Sequence, residues 1–197
     1  KIHILKSFLN IADNILIGGG MAFPFIKYNG GQIGRSICSE SELGVVENFL
    51  KEANKSNTKI ILPIDCVITD NITQKTNQRA VDVRFIPEGY FGVDIGPKTV
   101  QLFCGRIKSS QLIVWNGPMG ISEIQDFSNG TKKISESIIR ETKKGAYSVI
   151  GGGDTISDIS RFGFKNQFSY ISTGGGAMLE FFKNEDLPGI KGLRPIR

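Results

Sequence analysis

Histidine and tryptophan each occur once in the 197 residues, and cysteine only three times. With His3 as the sole imidazole, and no C-x-x-C pair among Cys38, Cys66 and Cys104, a zinc site lacks its ligands. The wide cysteine spacing likewise excludes a disulfide framework, and reduced thiols in a cytoplasmic compartment are expected. No apolar run approaches the roughly 20 residues that a membrane span needs, and the first residues carry no secretion signal. Basic runs and RNA-type aromatic motifs are missing too: the 24 basic residues are scattered among 19 acidic ones. A net charge of +5 then argues for an anionic ligand rather than for nucleic acid.

What the chain has in quantity is glycine, 24 residues of it, and the glycines are grouped. Three segments run from an apolar stretch through a glycine triplet into an amphipathic run: Asn14 to Phe23, Ser148 to Thr155 and Tyr170 to Met178. A buried strand, a glycine turn and a helix start leave backbone N–H groups pointing outward beside a positive dipole end. Such a turn is an anion site made of backbone, and three of them suggest a surface for a polyphosphate. Neither of the two commonest phosphate signatures is present. The triplets continue as Met21-Ala22-Phe23, Asp154-Thr155-Ile156 and Ala177-Met178-Leu179, without the third glycine of a dinucleotide fingerprint or the Gly-Lys-Ser/Thr of a Walker loop.

Periodicity places elements between these segments. Ile4, Leu5, Phe8, Leu9 and Ala12 have helical spacing over residues 3–12, and Ile15 to Ile17 form a short buried strand. Helices are expected over Met21 to Tyr28, with Pro24 tolerated in the first turn, and over Glu42 to Asn54, with Leu43, Val46 and Leu50 inward. Lys59 to Ile68 reads as one strand, and Thr69 to Glu88 as a hairpin excursion alternating at Val81, Val83 and Phe85. Pro97 opens a helix, Leu112 to Trp115 form a strand ending at Asn116-Gly117-Pro118, and Ser128 to Thr142 form a helix capped by Gly145. Strands alternating with helices predict one α/β domain: a three-layer, Rossmann-like parallel sheet with a small hairpin excursion. Ligands of such sheets bind outside the carboxyl ends of the strands, where the triplets and Asn116-Gly117-Pro118 fall.

Gly151-Gly152-Gly153 is the strongest candidate for contact with a reacting phosphoryl group, since glycine there costs roughly 0.5–1 kcal/mol per residue relative to alanine. Asp154 follows directly, either as a plain helix cap or as a ligand of Mg²⁺ shared with phosphate oxygens. Thr155 adds a hydroxyl contact or extends the cap. Asn116 has an amide that donates to phosphate, Pro118 a flat apolar wall, and Glu123 a carboxylate that accepts from ribose hydroxyls. Taken alone, Asn-Gly-Pro is also an ordinary turn and Glu123 an ordinary solvated charge.

In order and spacing, Ile17 to Phe23, Gly92 to Pro97, Val114 to Gly120, Ile150 to Thr155, Ser172 to Ala177 and Leu187 to Ile190 resemble the phosphoglycerate kinase family. The resemblance covers essentially the whole chain and is to the C-terminal, nucleotide-binding half; the Ser-His-Leu-Gly-Arg-Pro segment of the family's other half does not occur here. It implies phosphoryl transfer between 1,3-bisphosphoglycerate and Mg-ADP, giving 3-phosphoglycerate and ATP. It also implies a monomer that works with an N-terminal domain carrying the 3-phosphoglycerate site. A chain that opens on Lys1 rather than Met fits a piece of such a protein. By match, Lys1 would pair with nucleotide phosphates, and Gly18, Gly19, Gly92 and Val93 would line the adenine slot. Asn116 would touch phosphates, Pro118 would flank the nucleoside and Glu123 would hold the ribose. Gly152 and Gly153 would offer N–H groups to the transferred phosphoryl, Asp154 would hold Mg²⁺ and Thr155 would contact phosphate. Gly175 and Gly176 would add a further phosphate-facing helix start. Residues 1–186 would form the domain, and residues 187–197 a tail packing toward the N-terminal half. Two positions depart from the family: Ile121-Ser122-Glu123 replaces the usual Val-Phe-Glu, and Pro24 stands where threonine is usual. From composition alone a dinucleotide-dependent oxidoreductase and a noncatalytic nucleotide-binding module remain as alternatives.

Overall fold

The computed structural model describes residues 2–73 and 78–174. The expectations for Lys1, Gly175, Gly176 and the 187–197 tail lie outside these residues.

The chain starts with a single helical turn, α1 (Ile2–Leu5), extended by a 3-10 turn over Lys6–Phe8. The longer helix expected to residue 12 is cut short where Asn10 turns to φ 67°. Strand β1 (Asn14–Leu16) leads through the first glycine triplet into α2 (Ala22–Tyr28). A two-residue strand β2 (Gln32–Ile33) follows, then α3 (Glu40–Ala53). The start of α3 is a capping box, in which the Ser39 N–H donates to Glu42 Oε2 at 2.7 Å. Its inward face is Val46, Phe49 and Ala53, with the Phe49 ring edge-on to Phe25 of α2.

The strand expected over 59–68 is two strands, β3 (Lys59–Ile61) and β4 (Asp65–Thr69). Pro63 between them has no N–H to give a ladder, so the pairing partner changes there. β3 runs parallel to β1, with Ile15 opposite Ile60. β4 instead lies antiparallel between β5 (Arg79–Asp82) and β7 (Phe91–Ile95). Between them β6 (Phe85–Ile86) pairs in parallel with β2. The excursion is therefore larger than a hairpin. The expected alternation at Val81, Val83 and Phe85 also fails after Val83, which is buried. Asp82 Oδ1 accepts from the Arg84 N–H at 2.9 Å, the chain turns, and Phe85 ends 60% exposed.

The second half is regular: α4 (Pro97–Ile107), β8 (Leu112–Asn116), α5 (Asn129–Thr142), β9 (Tyr147–Gly151), α6 (Gly153–Arg161) and β10 (Tyr170–Ser172). The strands form a parallel ladder in the order β10-β9-β8. Ile95, Phe103, Ile107, Trp115, Ile134, Ile138, Ile150 and Ile159 make one core between this ladder and its helices. A second core holds α1, α2, α3 and β1 together through Ile2, Ile17, Phe25, Val46 and Phe49. This is the mixed, layered α/β fold expected from the alternation of elements, with antiparallel pairing confined to β4, β5 and β7.

One joint ties the antiparallel unit to a helix. Asp65 at the start of β4 is buried and accepts from the Lys98 and Thr99 N–H groups, at 3.0 and 2.7 Å, in the first turn of α4. The Thr99 hydroxyl in turn accepts from the Ile64 and Asp65 N–H groups, each at 3.0 Å. Pro97 occupies the first helical position, where its missing N–H is not needed, and the carboxylate supplies the cap that Gly96 lacks. Asp65→Ala is expected to lower stability by about 2 kcal/mol, because it leaves buried donors unpaired. Urea unfolding of the 197-residue chain measures this, and an unchanged midpoint would refute it.

Candidate nucleotide-binding edge

β8 and β9 end level with one another, Asn116 opposite Gly151, so the turns that follow leave the ladder side by side. Gly152 has φ +91°, and a Cβ placed on it would stand 3.1 Å from Asn116 Oδ1. The position therefore requires glycine on two counts, backbone hand and space. From Gly152 the chain enters α6, whose first residues Gly153 and Asp154 are exposed. A side chain at Gly153 would meet nothing, so the helix N-terminus opens outward.

Asn116 faces this opening with an unmet need. Its Nδ2 is buried and has no hydrogen-bond partner within the protein. Thr155, fully buried, accepts from the Gly117 N–H at 2.8 Å and locks the Asn116-Gly117-Pro118 turn to α6. The helix cap position belongs to Gly152, and Asp154 stands in the first turn without a capping bond, which removes the cap alternative for Asp154.

The first triplet reaches the same edge. A methyl on Gly18 would collide with the Met119 sulfur, and one on Gly19 would stand 2.6 Å from the Pro118 carbonyl oxygen. Close approach to the Pro118 backbone and a φ of +59° explain Gly19, whereas Gly18 meets only the flexible Met119 side chain at short range. Gly92, on β7, lies against the Phe23 ring, and its N–H donates to Ser36 Oγ at 2.9 Å. Val93 is buried and its carbonyl accepts from the Ile121 N–H at 2.8 Å. Gly18, Gly19, Val93, Pro118, Asn116, Gly152 and Thr155 are therefore linked through the 116–121 loop. Glu123 is exposed two residues beyond Ile121.

The sequence reading missed the polar contacts that brace this loop. Ser122, at the position that departs from the family, is buried and donates its hydroxyl to Asp158 Oδ2. Burial pushes the Asp158 carboxyl above its ordinary range, with the Ser122 bond and the Arg161 charge opposing. Asp158 was unremarkable in the sequence because its partner lies 36 residues away. Two surface hollows of about 510 and 430 Å³ lie around Lys98 and Arg106 and around Lys27 and Cys38. Neither of these two hollows is lined by Asn116, Gly152 or Asp154.

The family resemblance and the fold agree with the comparisons to known proteins. The phosphoglycerate kinase family model matches residues 1–185. The chain belongs to the phosphoglycerate kinase family. It is 46% identical over 191 residues to the phosphoglycerate kinase of Thermosipho africanus (strain TCF52B), which spans 96% of this chain and 48% of that protein. Its fold is similar to the phosphoglycerate kinase structure from Coxiella burnetii, with a TM-score of 0.90 and 35% identity over 97% of this chain and 48% of that one. The phosphoglycerate kinase structure from Pyrococcus horikoshii is similar at a TM-score of 0.77 and 29% identity, over 98% of this chain and 48% of that one. The chain thus spans about half the length of the relatives it matches.

Asp94, next to Val93, titrates unusually. Burial pushes its carboxyl up to about 7, although the Gly130 and Ile95 N–H groups, at 2.6 and 2.8 Å, favour the carboxylate. The folded chain therefore holds this proton more tightly than the unfolded chain. The resulting stabilisation is complete below about pH 4 and is lost as the pH rises through about 7. Compared with Asp94→Asn, the parent chain should lose stability across that window with a slope approaching about 1.4 kcal/mol per pH unit. Urea midpoints at pH 5, 6 and 8 measure the difference; parallel curves would contradict the assignment.

Proposed function

We propose that the chain is the nucleotide-binding half of a phosphoglycerate kinase and contributes the Mg-ADP side of phosphoryl transfer between 1,3-bisphosphoglycerate and ADP. The observation that carries this reading is the buried Asn116 Nδ2 without a partner, set beside Gly152 at the open N-terminus of α6. A buried donor left unpaired costs about 1–3 kcal/mol, and a phosphate oxygen would supply its acceptor. Gly153 and Asp154 are exposed residues in the first turn of α6, where unpaired helix N–H groups and the helix dipole favour the same anionic ligand.

The residue roles are those that the family resemblance implies, and the placement of Asn116 and Gly152 supports them. Gly152 and Gly153 offer backbone N–H groups to the phosphoryl being transferred, Asn116 meets phosphate oxygens, and Pro118 flanks the nucleoside. Thr155, fully buried, serves by holding the 116–118 turn rather than by the direct phosphate contact that the resemblance implies. Gly18, Gly19, Gly92 and Val93 line the adenine slot, and Glu123 accepts from the ribose. By the same resemblance, Lys1, Gly175 and Gly176 would add phosphate contacts and residues 187–197 would meet the N-terminal domain; all of these lie outside the described residues. Phosphoryl transfer asks little covalent chemistry of a protein, so alignment and charge stabilisation are the work of these groups.

Mg²⁺ fits the residues present in one way only. Among the described residues no cluster of three or more His, Cys, Asp or Glu side chains forms a cage for a metal. A lone exposed carboxylate beside phosphate oxygens suits Mg²⁺, which keeps several waters and takes one or two carboxylates. Asp154 is that ligand. Bound there, Mg²⁺ would neutralise phosphate charge that Asp154 alone would repel.

The acid-binding half lies in a partner domain, and closure of the two would exclude water. Among the described residues no helix is long and apolar enough to cross a membrane. A cytoplasmic monomer that binds nucleotide without nucleic acid completes the proposal. Calorimetry of Mg-ADP with the 197-residue chain is expected to give a Kd between micromolar and millimolar, without kinase turnover. Asp154→Asn should weaken binding only when Mg²⁺ is present. Equal losses with and without Mg²⁺ would remove the metal role, and turnover by the isolated chain would overturn the half-site reading.

A further inference from the structure

The Glu123 loop is held from one side by a single arginine. Arg161, in the last turn of α6, donates from Nη1 to the Glu123 carbonyl oxygen at 3.3 Å and from Nη2 to the Ser122 carbonyl oxygen. The same Nη2 donates to Asp158 Oδ1 at 2.7 Å, one turn back on the helix. Asp158 is buried, and its other oxygen accepts from the buried Ser122 hydroxyl. A planar guanidinium carries the fork of donors that this bridge needs; an ammonium does not reproduce it.

The consequence is mechanical. α6 begins at the edge proposed to take phosphates and ends in the arginine that grips two successive carbonyls beside Glu123. One helix therefore sets the separation between the phosphate end and the ribose end of the site. Glu123 is exposed, and no other described contact is made to its backbone from outside the loop by a charged side chain. The loop itself is closed by the Ile124 N–H to Ile121 carbonyl bond at 3.0 Å, which reports its order.

We propose that Arg161, braced by Asp158 and Ser122, is a positioning residue that fixes Glu123 relative to the α6 N-terminus and so sets recognition of the ribose hydroxyls of a nucleoside diphosphate. The inference rests on the nucleotide reading for the ribose, and on geometry alone for the loop. Arg161 touches no ligand in this role. It acts through the backbone that carries Glu123.

Two readouts on the full chain decide it. Calorimetry compares Mg-ADP with Mg-2′,3′-dideoxy-ADP, which lacks the hydroxyls that Glu123 would accept from. The parent chain should prefer ADP by about tenfold, and Arg161→Ala should bring that preference close to unity while retaining dideoxy binding. Arg161→Lys should recover only part of it. Because Arg161→Ala leaves Asp158 buried without its cation, the double variant D158A/R161A serves as a folded control with the same expectation. Equal weakening of both nucleotides would indicate a general structural role and overturn the inference, as would an unchanged preference. The second readout is hydrogen exchange at the Ile121 and Ile124 amides of the free chain, expected to quicken at least tenfold in Arg161→Ala. If the parent chain binds no Mg-ADP, the nucleotide reading fails and the ribose role with it. Exchange then still decides whether Arg161 fixes the loop, and unchanged exchange overturns that too.

Discussion

The constraint on which the rest of the site depends is the register that sets Asn116 of β8 opposite Gly151 of β9. Parallel strands that end level must send both following turns out at the same edge, a strand spacing apart. Two turns that close cannot both carry side chains. Glycine at 152 relieves the contact with Asn116, and its φ of +91° aims the chain into α6 at once. The Thr155 hydroxyl then closes the gap to the Gly117 N–H, so the turn after β8 and the helix after β9 move as one body. A one-residue slip of this ladder would face Asn116 with the next residue and bring a different side of the strand to the core.

Two buried carboxylates do for the antiparallel unit what that hydrogen bond does for the parallel one. Asp65 on β4 takes the first N–H groups of α4, and Asp94 on β7 takes the Gly130 N–H in the first turn of α5. Each satisfies helix donors that have no partner within the helix, and each does so from a neighbouring strand. They differ in cost. Asp94 sits between Gly120 and Gly130, where any Cβ would collide with or crowd its carboxylate, and burial there outweighs its two N–H bonds. That crowding also seats Gly120 and Val93 together, so the strain of a buried charge and the shape of the proposed adenine slot have one origin.

How much of this was legible in the sequence follows from the range of each interaction. The first two glycine triplets, Pro97 and Gly145 announce local backbone geometry, and among the described residues the elements they bound were read correctly apart from ends. The break at Pro63 was readable in principle, since a proline inside an apolar run has no ladder N–H to give. The turn at Asp82–Arg84 was hidden, because a period of two in Val81, Val83 and Phe85 continues through a side-chain-to-backbone bond that reverses the face. Beyond local reach, pattern fails altogether. Thr155 to Gly117, Asp65 to Thr99 and Ser122 to Asp158 join residues more than thirty positions apart, and each looks like an ordinary polar residue in its own segment. Family resemblance named the glycines, Asn116 and Asp154 as site residues, yet it is silent on Asp158 and Arg161, whose roles arise from this chain's own contacts.

The unpartnered Asn116 amide carries a consequence for how the half-site behaves alone. Its donor is buried, and the turn that follows Asn116 is tied to α6 by the Gly117 N–H to Thr155 bond. A buried donor left without any acceptor costs about 1–3 kcal/mol. In the proposed reading, a ligand that supplies an acceptor there would recover this energy at a turn that the Thr155 bond and the β8–β9 ladder already hold. Binding energy recovered from a preformed orphan donor costs little entropy, whereas the same contact from a mobile loop would be diminished by the ordering. In the same reading, a second domain would add the bisphosphoglycerate that donates the phosphoryl group and the exclusion of water, rather than the shape of this edge.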